Sequence, residues 1–474
     1  MKPNPVYTSH SQARIHENGI RSGSIEHLTP DEELKLQEFW AALLILFKIS
    51  TDMMDTAMVS NNHAYRYPIS PKKSPKLILS PRFHTKQTFV LRNGSKNSIA
   101  APYLRLLLSH NQKRTSRFDI QDTEAENLKL LLETHRVENF RLAFWQFVKH
   151  ENPDRLILQF LRVSSWNVDK ALDTMVSAIQ WRIQIMHVES IVKGGELAAS
   201  ISCDKGFISQ LRSGKAYIHS TDKEDRPICI ISAKNHKPGE QSIESLERFT
   251  VYLMETTRLL RPDWVDNCCM LFDMTGFESA NMDYTAIKFI ARCLETRFPE
   301  TMGICIIHNT PWGWQGILKA LIWWMTPILA SKVYFTSGVD ELTQYIDKSN
   351  IPEFLGGDEK WRYSYSEPSP SENSVINEPS KEVIEERQKL EAIRWDIIKQ
   401  YEENTLLWVT NEFEGNYMVM DLHDERRLLR EDLKLNYWAL DRFLRARTYY
   451  DRIGMLERGG EINYHPWKRS LAAC

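Results

Sequence analysis

CCMLFDMTGFESANMDYTAIKFIARCLETRFPETMGICIIH, residues 268–308, reads as strand, helix, strand. CCMLFDM is a continuous apolar run, and GICIIH is another. Between them, residues 283–298 set Ile287, Ile290, Ala291 and Leu294 at helical spacing. A strand apolar on both faces needs cover on both faces, and a helix between two such strands is the crossover of a parallel sheet. Working outward, KAYIHST (215–221) and RPICIISA (226–233) flank the turn DKED as a hairpin-like pair. Residues 243–260 carry Ile243, Leu246, Phe249, Leu253 and Leu260 on one helical face. Together these predict an α/β domain over 201–365, a mostly parallel sheet with flanking helices.

Upstream the rhythm is helical. Asn152-Pro153-Asp154 starts one helix. Asn167 caps another, whose face is Val168, Ala171, Leu172, Met175, Ala178, Ile179 and Ile185. Residues 119–200 therefore form an all-α module. A helix over 28–49, with Thr29 as N-cap, Pro30 in its first turn and Asp31, Glu32 and Glu33 behind it, lies in the N-terminal segment 1–50. Between these, residues 51–118 read as a basic disordered insertion. From Thr56 to Phe118 there are twelve Lys or Arg and no Asp or Glu. Such a run is either a solvated linker or a tether to anionic lipid. After a Ser/Pro/Asn/Glu linker at 366–380, residues 381–474 form a charged helical extension. One face of it carries Leu390, Ile393, Ile397, Ile398 and Tyr401.

Composition sets the outer limits. A chain of 474 residues has room for two or three domains, and its net charge of −2 argues against a surface built for nucleic acid. The seven cysteines include no CxxC pair and fall mostly in apolar runs, which reads as buried thiols in a reducing compartment. The N-terminus lacks the apolar stretch of a secretory leader, and no apolar run reaches the ~20 residues of a membrane span. No dinucleotide, P-loop, nucleophile-elbow or HExxH motif occurs, and the histidines lack metal-ligand spacing, so neither a catalytic site nor a metal site is expected. Asp273 and His308, at strand ends, are the one acid/base pair that an α/β enzyme could use.

The segment TPWGWQGILKALIWWMTPILASK (310–332) carries Trp312, Trp314, Trp323 and Trp324, with Lys319 its only charge between Pro311 and Ser331. A helix over 312–325 is apolar on nearly every side and ~21 Å long, too short to cross a bilayer. It is a core helix or a lid that touches lipid. Trp at the membrane interface, and Pro311, Gly313, Gly316 and Pro327 as joints, fit the lid.

RPICIIS, the SLERFTVYLMETTRLL helix, CCMLFDMTGF, FPETMGICIIHNTPWGWQGILKALIWWMTPILASKVYF and IPEFLGG together resemble the CRAL-TRIO lipid-binding domain. The likeness is greatest to the branch of the secretory phosphatidylinositol/phosphatidylcholine transfer proteins. LILQFLRVSSWNVDKAL resembles that family's N-terminal module. The resemblance implies a cytoplasmic protein, peripheral to intracellular membranes, that holds one lipid and no other cofactor. A mobile helix gates its pocket; here that helix is 312–325. The family's inositol-phosphate site maps onto Ser164, Glu300, Leu329 and Lys332. The carboxylate and one cation remain, while Ser164 stands for an arginine and Leu329 for a threonine. The choline-lipid positions are Cys268 and Met270, in place of Ser and Thr.

The expected function is thus phosphatidylinositol transfer between membranes, with phospholipid and a membrane surface as partners. The alternatives are a carrier of a non-inositol apolar lipid such as a sterol precursor, or a lipid-sensing scaffold that binds a protein through 381–450.

Overall fold

The computed structural model describes residues 25, 27–60, 103, 121–135, 139–202, 204–322, 325–377, 379–410 and 416–467. Helix α1 (Pro30–Ser60) starts where the sequence places it. Thr29 Oγ1 accepts from the Glu32 N–H at 3.3 Å, and Glu32 Oε2 accepts from the Thr29 N–H at 2.9 Å. It runs past the predicted end at Ile49, because no Pro or Gly interrupts residues 50–60. The insertion expected from residue 51 therefore opens as helix. Apart from Tyr103, the expectation for 61–118 lies outside the described residues.

Helices α2 (Gln121–His135), α3 (Phe140–Val148), α4 (Pro153–Val163) and α5 (Val168–Gln180) follow. Asn152 Oδ1 caps α4 through the Asp154 N–H at 3.0 Å, and Asn167 Oδ1 caps α5 through the Lys170 N–H at 2.8 Å. The predicted face of α5 is buried, with one exception: Ile185 is 63% exposed. A π-helical turn at Trp181–Ile185 inserts a residue and rotates Ile185 off that face. Helices α6 (Val188–Ile201) and α7 (Lys205–Arg212) lead into the sheet.

Five strands lie in chain order: β1 (Ala216–Thr221), β2 (Pro227–Ser232), β3 (Cys268–Asp273), β4 (Met302–His308) and β5 (Val333–Thr336). β1 and β2 are the antiparallel hairpin, and the other neighbours are parallel. Helix α8 (Ile243–Leu259) crosses from β2 to β3, and α9 (Tyr284–Arg292) from β3 to β4. Alternation then divides the strands. Ala216, Cys268, Met270 and Cys305 face α8 and α9. Tyr217, Ile230, Leu271 and Ile306 face Leu342, Ile346, Ile351 and Leu355 on the far side. The IPEFLGG turn that closes this layer needs its glycines: Gly356 has φ +88°, and a Cβ on Gly357 would lie 2.0 Å from the Ile351 carbonyl oxygen.

The C-terminal helices are α13 (Lys381–Thr410) and α14 (Asn416–Leu444), beyond α10 (Gln315–Ile322), α11 (Pro327–Ala330) and α12 (Val339–Leu342). Ile397, Ile398 and Tyr401 of the predicted face are buried, while Ile393 is 38% exposed. Ile397, Ile398, Tyr401 and Trp408 share one core with Trp40, Phe144 and Trp145 of α1 and α3. Arg141 grips Glu402 with two hydrogen bonds of 2.9 and 2.8 Å. Arg426 reaches Asp154 at 2.9 and 2.5 Å while lying 4.2 Å from the Tyr401 ring and 4.8 Å from that of Trp408. Further on, the Tyr450 hydroxyl accepts the Ile218 N–H at 2.7 Å, which protects the edge strand β1. The charged helical extension thus completes the helical module and borders the sheet.

A buried ionic cluster joins the two halves. Glu255 of α8 accepts from Lys149 at 2.5 Å and from Arg182 at 2.7 Å, and Glu151 accepts from Arg258 at 2.8 Å and Arg261 at 2.7 Å. His150, in the same cluster, lies against Tyr437 and Trp438. Burial pulls its imidazole from 6.5 down to about 4; Glu151 opposes the shift, and Arg258 and Arg261 add to it. The unfolded chain therefore takes up this proton first as pH falls. The stability it contributes is complete above pH 6.5 and is lost as pH drops to about 4. That loss is about 3 kcal/mol. Urea unfolding at pH 7 and pH 4 should show it in the wild type and not in His150→Phe, whose ring keeps the aromatic contacts; equal losses in both would contradict the assignment.

Candidate functional site

One face of the sheet does not close on its helices. Between the inner residues of β1–β5 and helices α8 and α9 lies a cavity. Its volume open to the centre of a water molecule is about 240 Å³, within about 1460 Å³ of atom-free space that includes the mouth. Cys229, Met270 and Cys305 form its floor and Phe249, Met254 and Ile290 part of its wall. Leu318 and Ile322 of α10, with Met325, border it on the side of the Trp-rich segment. A chamber this apolar has no use for water and suits a hydrocarbon chain.

The segment over the mouth is shorter as a helix than 312–325. Trp312–Trp314 form a 3₁₀ turn, and α10 covers Gln315–Ile322. Trp314 packs edge-on to Phe277 at 5.0 Å, while Trp312 is 91% exposed. Ile317 and Ile328 are also exposed nearby in sequence. Trp323 and Trp324 lie outside the described residues. The described part thus presents apolar side chains both inward and outward.

Cys268 and Met270, on the inner face of β3, both line the cavity, and burial pushes the Cys268 thiol up to about 12. The other four predicted positions do not line it. Glu300, at φ +58°, accepts from Arg162 Nε at 2.5 Å. Lys332 Nζ donates to the Met302 carbonyl at 2.9 Å. Leu329 is buried in the core behind the inner face, and Ser164 ends α4 with its N–H on the Phe160 carbonyl. Glu300 and Lys332 sit near the start of β4, but Glu300 is engaged by Arg162. Sequence reasoning assigned Arg162 no role although it quoted FLR, the motif that holds it.

Besides Thr250, Thr257 and Thr301, four polar residues line the cavity that went unread: Lys215, His236, Asn281 and Asp283. They come from three loops, and no local motif marks them. Asp273 and His308 sit opposite one another in the β3–β4 register. His308 Nδ1 pairs with Thr336 Oγ1 at 2.8 Å, and Asp273 Oδ1 accepts from the Thr275 N–H at 3.0 Å. They cap strand ends and face away from the cavity lining. Among the described residues no group of His, Cys, Asp or Glu is placed to hold a metal, and no helix is long and apolar enough to cross a membrane.

The CRAL/TRIO domain model matches residues 211–357, and the CRAL/TRIO N-terminal domain model matches 120–177. A CRAL-TRIO domain-containing protein of Schizosaccharomyces pombe is 35% identical over 442 residues, 91% of each chain. The chain belongs to the CRAL/TRIO family. It is also similar to phosphatidylinositol transfer protein CSR1 of Eremothecium gossypii, at 28% identity over 92% of this chain and 98% of that one. Phosphatidylinositol transfer protein PDR17 of Saccharomyces cerevisiae is 24% identical over 54% of this chain and 74% of its own. The likeness to the first two extends well beyond the domain models. Membership makes this CRAL/TRIO protein one of a lipid-binding family, and the cavity is where its fold leaves room for a lipid.

Proposed function

We propose that this CRAL/TRIO protein carries one lipid in the cavity and exchanges it with membranes through the segment around α10. The observation that carries the reading is an apolar chamber bordered by a segment whose Leu318 and Ile322 face in while Trp312 faces out. Two acyl chains in water cost roughly 20 kcal/mol or more at ~0.8 kcal/mol per methylene, so a carrier must supply a substitute solvent. The lipid is the cargo, and the reading needs no cofactor. On this view the protein is cytoplasmic and meets membranes peripherally.

Mass spectrometry of the purified protein, with transfer between vesicles, tests this; a protein that holds no lipid and moves none sinks it. Trp312→Asp is expected to keep its lipid but transfer it about tenfold more slowly, since the exposed indole supports docking rather than the pocket. Transfer at the wild-type rate would remove Trp312 from the mechanism.

Two of the relatives are named phosphatidylinositol transfer proteins, and phosphatidylinositol is the first ligand to try. Glu300→Ala and Lys332→Ala should each weaken it if its head group lies there. A lipid without an inositol head is favoured by a different observation. Glu300 is engaged by Arg162, Leu329 is apolar, and none of the four head-group positions lines the cavity.

A further inference from the structure

The cavity has one buried cation, Lys215, at 6% exposure. It immediately precedes β1, and its carbonyl accepts the Ser232 N–H at 2.8 Å, which fixes it at the C-terminal end of β2. Glu300 lies at the opposite end of the parallel strands, just before β4, a strand length of ~20 Å away. Lys215 Nζ has three contacts: Gln241 Oε1 at 2.8 Å, His236 Nδ1 at 3.2 Å and Gln210 Oε1 at 3.3 Å. All three are neutral acceptors. Among the described residues no carboxylate is in ion-pair contact with it.

That sets it apart from the other buried cations. Lys149, Arg182, Arg226, Arg258, Arg261, Arg426 and Arg445 each hold a carboxylate. Arg297 does not, but its charge lies over the Trp181 ring and on the Ser177 carbonyl, and it does not line the cavity. A buried ammonium without a counter-ion is costly, and the cost falls when an anion arrives. The acids whose charge reaches it, Glu240 and Asp283, are committed elsewhere, Glu240 to Lys237 at 3.5 Å. Asp283 accepts His236 Nε2 at 3.1 Å and the N–H groups of Thr285 and Ala286 at the start of α9. Asn281 donates to the Lys234 and His236 carbonyls, which holds the loop that aims His236 at Lys215. The result is a braced donor at one end of a mostly apolar chamber.

From this juxtaposition we infer that the cavity selects a lipid with an anionic oxygen head, a carboxylate or a phosphate, seated on Lys215 in exchange for the long Gln210 contact. The inference rests on the carrier reading above and names the ligand's chemical class.

Delipidated full-length protein is titrated with oleate, oleoyl lysophosphatidate and oleyl alcohol, which share one chain. At least one acid should bind about tenfold or more tightly than the alcohol, the preference expected of a charge-assisted hydrogen bond. The tighter acid identifies the head as carboxylate or phosphate. Lys215→Met should erase the preference and leave the alcohol within about threefold, while Lys215→Arg keeps it. Equal binding of acids and alcohol by the wild type overturns the inference, and that comparison needs no variant to fold. Retained preference in a folded Lys215→Met overturns it as well. If none of the three binds, the carrier reading falls first; if the alcohol binds and the acids gain nothing, the chamber stands and the anionic head falls.

Discussion

Met270→Trp is expected to give a folded protein that retains no lipid. Met270 sits mid-strand in β3, between Cys229 and Cys305 in register, and all three face the cavity. An indole there projects into open volume, so the overpacking cost of about 1–3 kcal/mol seen in closed cores is largely avoided. The ligand bears the effect instead. Displacing about four methylenes forfeits ~3 kcal/mol, on the order of a hundredfold in affinity. Mass spectrometry of co-purified lipid and vesicle transfer measure the loss, with a thermal melt as the check on folding. The neighbouring Cys269→Trp points the other way, into the packed far layer, and should lose stability while a surviving folded fraction still binds. Wild-type lipid content in Met270→Trp would mean that the ligand lies elsewhere.

The second large effect lies far from the cavity. Arg426→Ala takes the guanidinium from buried Asp154 and leaves it neutral donors such as the Trp40 indole N–H, at 2.6 Å. Breaking such a pair from one side costs about 3–5 kcal/mol, enough to destabilise the joint between the C-terminal helices and the helical module. Urea midpoints should fall accordingly. The paired change Asp154→Leu with Arg426→Met should recover much of the loss, because the expense lies in the unaccompanied charge rather than in the missing bridge. A midpoint unchanged in Arg426→Ala would show that the C-terminal helices do not need this contact. The same joint bears on the scaffold alternative. Removing 381–474 strips the core around Trp40 and Trp145, so it does not isolate a partner-binding arm from an intact lipid domain.

Much of the sheet could be read directly. CCMLFDM and GICIIH are apolar throughout because both their faces are covered, and alternation then assigns Met270 and Leu271 to opposite layers. The caps at Thr29, Asn152 and Asn167 were legible because capping is a contact between near neighbours. What escaped depends on distance or on an irregular backbone. Ile185 keeps the helical period in sequence and loses it through a π turn. Arg162 meets Glu300 across 138 positions. Lys215, His236 and Asp283 converge from three loops, and each alone looks like any polar loop residue. The apolar face of α13 was visible, but not that α1 and α3 supply its cover.

Trp145 donates to Glu402, 257 positions later in the chain, and the ring of Tyr401 packs against it. During synthesis at ~5–20 residues per second, the early helices leave the ribosome roughly 10–50 s before those partners exist. Trp40 and Trp145 spend that interval without the cover that α13 supplies, a standing invitation to a holdase chaperone and a hazard for any message cut short.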